Sequence, residues 1–146
     1  MPLFPLVIGR RASWRNGINT DDLTTAGAPG RVVWTELLSN ASENATNFYR
    51  SIVSYDARSI ERRGGTYTLL GNGGIDRVGI LANPSPDWHP VWLTYFGVTD
   101  PVAAANNAVE LGGKILVPVS PELRESSMAV VADPSGAILV LQKWPR

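Results

Sequence analysis

The chain contains no cysteine. That absence excludes a disulfide framework, a thiolate nucleophile and any sulfur ligand for a metal, and it leaves the redox compartment unmarked. There is a single histidine, His89, set between Trp88 and Pro90. One imidazole does not assemble a nitrogen-rich metal site. Charge of one sign is also missing, because thirteen basic residues balance thirteen acidic ones. The basic surface that nucleic acid requires is therefore lacking, and the pairs Arg10-Arg11 and Arg62-Arg63 are too short to supply it. No apolar run is long enough to span a bilayer. The opening apolar run, MPLFPLVI, precedes its arginines rather than following them, the reverse of a secretory leader. The expectation is a cytoplasmic protein with no nucleic-acid and no membrane partner.

What is present suits one globular domain. The 146 residues are 44% hydrophobic and 18% charged, enough chain to bury a sizeable core. Fourteen glycines and eleven prolines indicate short strands joined by many turns. Residues 1–30 lack periodicity and read as an extended arm, in which Phe4, Leu6 and Trp14 are apolar side chains that need covering.

Residues 31–49, RVVWTELLSNASENATNFY, organise the rest of the chain. From Val32 to Leu38 the residues alternate as a strand, with Trp34, Glu36 and Leu38 on one face and Val33, Thr35 and Leu37 on the other. Asn40 fits a helix N-cap, and Glu43 stands three residues on at capping-box spacing. Ala41, Ala45, Phe48, Tyr49, Ile52 and Val53 then recur at helical spacing as an apolar stripe that needs a sheet to cover. Strands are expected at Tyr55–Ile60, Thr66–Leu70 and Arg77–Leu81, the last two joined through Asn72-Gly73, a strong hairpin signal. Residues 31–83 thus read β-α-β-β-β.

After a linker at 84–90, the pattern returns in residues 91–146. Trp92, Thr94, Phe96 and Val98 alternate with Leu93, Tyr95 and Gly97. Asp100 is an N-cap with Pro101 at the first helical position, where a missing N–H costs nothing. Ala104, Ala105, Ala108 and Leu111 form the inward stripe before the Gly112-Gly113 stop. Strands follow at Lys114–Val119, Met128–Ala132 and Ala137–Gln142, the last pair joined by a turn at Asp133-Pro134-Ser135-Gly136. Ser135 has turn neighbours and no histidine beside it, so it is not a nucleophile. One constant offset relates Thr35 to Thr94, Ala45 to Ala104 and Asn47 to Asn106, and a slightly longer one relates Val78 to Leu139 and Ile80 to Leu141. Two copies too short to bury a sheet alone combine into one structural domain.

In order and spacing, W-T-E-L before the first helix, F-Y inside it, and G-G-I in the hairpin, followed by W-L-T-Y-F-x-V-T-D, E-L-G-G and V-A-D-P-S-G-A, resemble the vicinal oxygen chelate superfamily. It includes glyoxalase I, extradiol dioxygenases and the bleomycin and fosfomycin resistance proteins. The resemblance covers residues 31–144. It implies an α+β fold of two β-α-β-β-β modules, their mixed sheet curled round a central cavity with the helices outside. It also implies a divalent metal held from the first and fourth strands of each module. Those positions fall here on Trp34, Gly79, Leu93 and Val140, none of which ligates a metal, so no metal and no cofactor is expected. Ser126-Ser127 is a further departure, where many relatives have Gly-Arg.

The residues left to the expected cavity are Trp34 and Glu36 from one module and Leu93 and Tyr95 from the other. Aromatic walls with few polar groups suit a small organic ligand, an aromatic one in particular. The reading is a metal-free small-molecule binding protein, with a homodimer compatible. An alternative is a cofactor-independent enzyme in which Glu36 is the general base. Another is a structural or interaction module in which Trp34, Leu93 and Tyr95 fill the cavity as core, with Glu36 paired to an arginine such as Arg77.

Overall fold

A computed structural model describes residues 29–62 and 64–145. The expected arm lies outside the described residues apart from its last two positions. The described chain forms two compact units, Trp34–Leu93 and residues 94–145 with 29–33. The class is α+β: two α-helices and eight strands among the described residues, in the order β-α-β-β-β twice.

The first unit is built from β1 (Val32–Ser39), α1 (Ser42–Val53), β2 (Asp56–Arg62), β3 (Gly65–Asn72) and β4 (Ile75–Ala82). Its strand order is β2-β3-β4-β1. The two hairpins are antiparallel and β1 runs parallel to β4, with Glu36 opposite Gly79. The β3–β4 turn uses Gly73 and Gly74 at φ +58° and +76°, a conformation that glycine adopts without steric cost. On the helix side of the sheet Leu37, Leu70 and Ile80 form a buried cluster against Ala45, Tyr49, Tyr55 and Val78. Each fully buried aliphatic side chain there contributes about 1.5–3 kcal/mol.

The second unit repeats the plan with β5 (Val91–Val98), α2 (Pro101–Glu110), β6 (Lys114–Val117), β7 (Met128–Ala132) and β8 (Ile138–Lys143). Its order is β5-β8-β7-β6, with β5 parallel to β8 and Tyr95 opposite Val140. Glu36–Gly79 and Tyr95–Val140 are the pairs that the two repeat offsets relate. Asp100 caps α2 as expected, its Oδ1 accepting from the Val102 and Ala103 amides at 2.9 and 3.1 Å. Ala105, Ala129, Val131 and Leu141 form the core under α2. The Asp133 turn closes on its own carboxylate, which accepts from Ser135 Oγ at 2.6 Å and from the Ala137 amide at 2.9 Å. Those bonds, the Ser135 hydroxyl foremost, hold the Asp133 carboxyl below the ordinary carboxylate range.

Three local expectations are corrected. Asn40 does not cap α1: the N-cap is Ala41, without a side-chain bond. The Asn40 amide instead donates to the carbonyls of Pro86 and Trp88 at 3.3 and 2.8 Å, tying the linker down. The α1 stripe is narrower than its sequence suggests. Ala45 and Tyr49 meet the core, but Phe48, Ile52 and Val53 are 56%, 58% and 43% exposed. Phe48 sits about 100° round the helix from Tyr49, and its ring packs edge-on to that tyrosine rather than beneath it. Leu111 is the C-cap residue of α2 and 71% exposed, because the chain turns away at Gly112. Truncating Phe48 or Leu111 to alanine is therefore expected to cost less than about 1 kcal/mol in urea unfolding, as surface changes do. A loss of about 2–5 kcal/mol, the range for core truncation, would put these side chains back in the core.

Before β7, Arg124, Glu125 and Ser126 are all left-handed, at φ +49°, +56° and +62°. Each such non-glycine residue costs roughly 1–2 kcal/mol. Ser126 is exposed, so Ser126→Gly is expected to raise stability by up to about 1 kcal/mol. An unchanged urea midpoint would show that the turn is not strained there.

Candidate functional site

Within the first unit the alternation of β1 places Trp34 and Glu36 on the face opposite the Leu37 cluster. Glu36 is fully buried, and Trp34 and Tyr67 are 5% and 3% exposed. Their polar atoms converge. Glu36 Oε1 accepts from Tyr67 OH at 2.6 Å and from Trp34 Nε1 at 3.2 Å, and the indole N–H is shared with the Tyr67 oxygen at 3.1 Å. Tyr67 belongs to β3, and β4 lies between β3 and β1. The phenol thus bridges two strand spacings, roughly 9–10 Å. It crosses at Gly79, where a Cβ would lie 2.1 Å from Tyr67 OH and 2.5 Å from Cζ. The ring is covered by Arg62, whose guanidinium carbon is 3.9 Å from the ring centroid. Leu93 is 1% exposed, and its carbonyl accepts from Thr35 Oγ1 at 3.2 Å. The expected pairing of Glu36 with Arg77 is not made: Arg77 donates to Asn72 Oδ1 at 3.4 Å.

In the second unit Tyr95 is fully buried, with the Arg124 guanidinium 5.2 Å from its ring centroid. Arg124 is itself 8% exposed. The structure therefore brings Trp34 and Glu36 together and adds Tyr67, Gly79 and Arg62 to them, residues that the sequence pattern did not single out for the site. One signal for them existed, since a glycine inside a strand often marks the close approach of another group.

No family model matches the chain. Proteins of Mycobacterium bovis and Mycobacterium tuberculosis named "Putative glyoxylase CFP32" are 31% identical to it over 121 residues, 82% of this chain and 46% of theirs. A methylmalonyl-CoA epimerase solved with methylmalonyl-CoA superposes with a TM-score of 0.54 at 16% identity, over 80% of this chain and 96% of that one. The chain belongs to the vicinal oxygen chelate superfamily. A further relative, the anthracycline biosynthesis protein DauV of a Streptomyces species, is 29% identical over 112 residues, 71% of this chain and 38% of that protein. The chain spans less than half the length of the curated relatives it matches.

The divalent metal that the superfamily implies does not fit the residues present. An indole N–H only donates, and glycine, leucine and valine bring no ligand atom, so Trp34, Gly79, Leu93 and Val140 supply none. The space over Gly79 holds the Tyr67 hydroxyl. Among the described residues, no three His, Asp or Glu side chains group as a metal site. His89 is exposed in the linker. No helix among the described residues is long and apolar enough to cross a membrane.

Proposed function

We propose that the chain is a metal-independent binding protein for a small organic ligand, built on the superfamily fold. The observation that carries this reading is the polar centre of the first unit, a fully buried carboxyl group held by an indole N–H and a phenol. Apolar walls with a few placed polar groups are the ordinary makeup of organic-ligand sites. Trp34, Glu36 and Leu93 are the ligand contacts proposed for the first unit, and Tyr95 for the second. The names of the relatives supply two probes: an anthracycline and a coenzyme A thioester. A flat aromatic ligand bearing a hydrogen-bond donor fits stacking on an indole beside a carboxyl group, which favours the anthracycline.

Titration calorimetry tests this. Trp34→Ala is expected to weaken anthracycline binding at least about tenfold, a loss of about 1.4 kcal/mol. Glu36→Gln keeps the shape and is expected to cost less. Failure of both probes to bind the native protein at any accessible concentration would leave the structural reading.

The 2.6 Å bond from Tyr67 to Glu36 favours a second reading, a cofactor-independent enzyme. It holds in a fixed orientation the carboxyl group proposed as general base, and such a base must be placed within hydrogen-bond reach of the proton it abstracts. On that reading Glu36→Gln abolishes turnover while leaving affinity nearly intact.

A further inference from the structure

The mismatch between the superfamily's metal and this chain has a specific cause in the first unit. Gly79 is the register partner of Glu36. A side chain at Gly79 would project to the face where Trp34 and Glu36 meet, because its Cβ would run into Tyr67 OH. That is the position from which β4 would supply a ligand. Tyr67 reaches the same point from β3, across the strand, and donates there to Glu36. Its ring is held against Arg62, and its oxygen accepts from Trp34. The phenol and the glycine are complementary: a larger residue at 79 would displace the phenol, and a smaller one at 67 would leave a hole above β4.

We propose that Tyr67 is a built-in occupant of the β4 ligand position. It fills the space that a ligand side chain on β4 would need and gives Glu36 a hydroxyl partner there. Occupation of this kind does not depend on the identity, or the existence, of an organic ligand. Its test therefore fails or succeeds separately from the ligand titrations.

The test has two arms. In the native protein, a hydroxyl held in a short, buried bond exchanges slowly with water. Proton NMR is expected to show one downfield hydroxyl resonance that disappears in Tyr67→Phe and moves upfield in Glu36→Gln, where the amide oxygen is the weaker acceptor. Zinc in large excess, being diamagnetic, should leave it in place. The second arm exchanges the occupants. In the double variant Tyr67→Ala with Gly79→His, an imidazole takes the vacated position across from Glu36, and nickel is expected to raise Tm by several degrees, reversibly with EDTA. The native protein and Tyr67→Ala alone should show no rise, and adding Glu36→Gln to the double variant should abolish it. Loss of the native hydroxyl resonance on adding zinc, or its absence altogether, overturns the proposal. So does a folded double variant that nickel does not stabilise. Where the double variant does not fold, the native resonance decides.

Discussion

Gly79→Ala is expected to lower the free energy of unfolding by about 3 kcal/mol or more, at or above the upper end of ordinary overpacking. The added methyl would lie 2.1, 2.5 and 2.9 Å from three atoms of the Tyr67 phenol. An obstacle at the far end of a flexible side chain would be cheap to move, but this one is fixed. The hydroxyl is bonded to Glu36 and Trp34, and the ring stacks against Arg62. Moving it breaks a buried network in a tightly packed interior. Urea unfolding monitored by tryptophan fluorescence measures the effect. A loss under about 1 kcal/mol would mean that the phenol yields readily and that the triad is loosely held.

Tyr67→Phe removes one oxygen and no carbon, so packing is conserved and the change isolates the hydrogen bonds. It is expected to cost about 1–3 kcal/mol, the range of one such bond. Glu36 Oε1 and Trp34 Nε1 each lose the phenol but keep each other at 3.2 Å, so neither is left without a partner. Pairing the variant with Glu36→Gln in a double-mutant cycle separates the bond from the rest of the network. Strictly additive losses would show that Tyr67 and Glu36 do not interact.

Much of this fold is legible in the sequence because its strongest signals are local. Asp100-Pro101 both names and executes a helix start, Asn72-Gly73 marks its hairpin, and the alternation of Trp34, Glu36 and Leu38 fixes one face of β1. The repeat offsets carry the register pairs Glu36–Gly79 and Tyr95–Val140. What fails locally fails to tertiary competition. Asn40 has the chemistry of a cap, but its Oδ1, the capping atom, accepts from the Asn83 amide, while its own amide donates to the linker carbonyls of Pro86 and Trp88. Phe48 and Leu111 fall at apolar spacing, yet helix packing uses only the arc that Ala45 and Tyr49, or Ala105, occupy.

The site is half legible for the same reason. Trp34 and Glu36 are near neighbours on one strand, and their pairing follows from period two. Tyr67 meets Glu36 across an intervening strand, a contact set by sheet order and by the missing side chain of Gly79. No local pattern encodes it. In the sequence alone Gly79 stands only as a residue unable to ligate. Its second meaning, as the gap through which the phenol passes, needs the register of three strands at once.

Metal independence is the central claim, and elemental analysis of protein purified without chelator addresses it most directly. The expected result is no stoichiometric zinc, nickel, manganese or iron. One bound equivalent of any of these, retained through gel filtration and lost on Glu36→Gln, would contradict it.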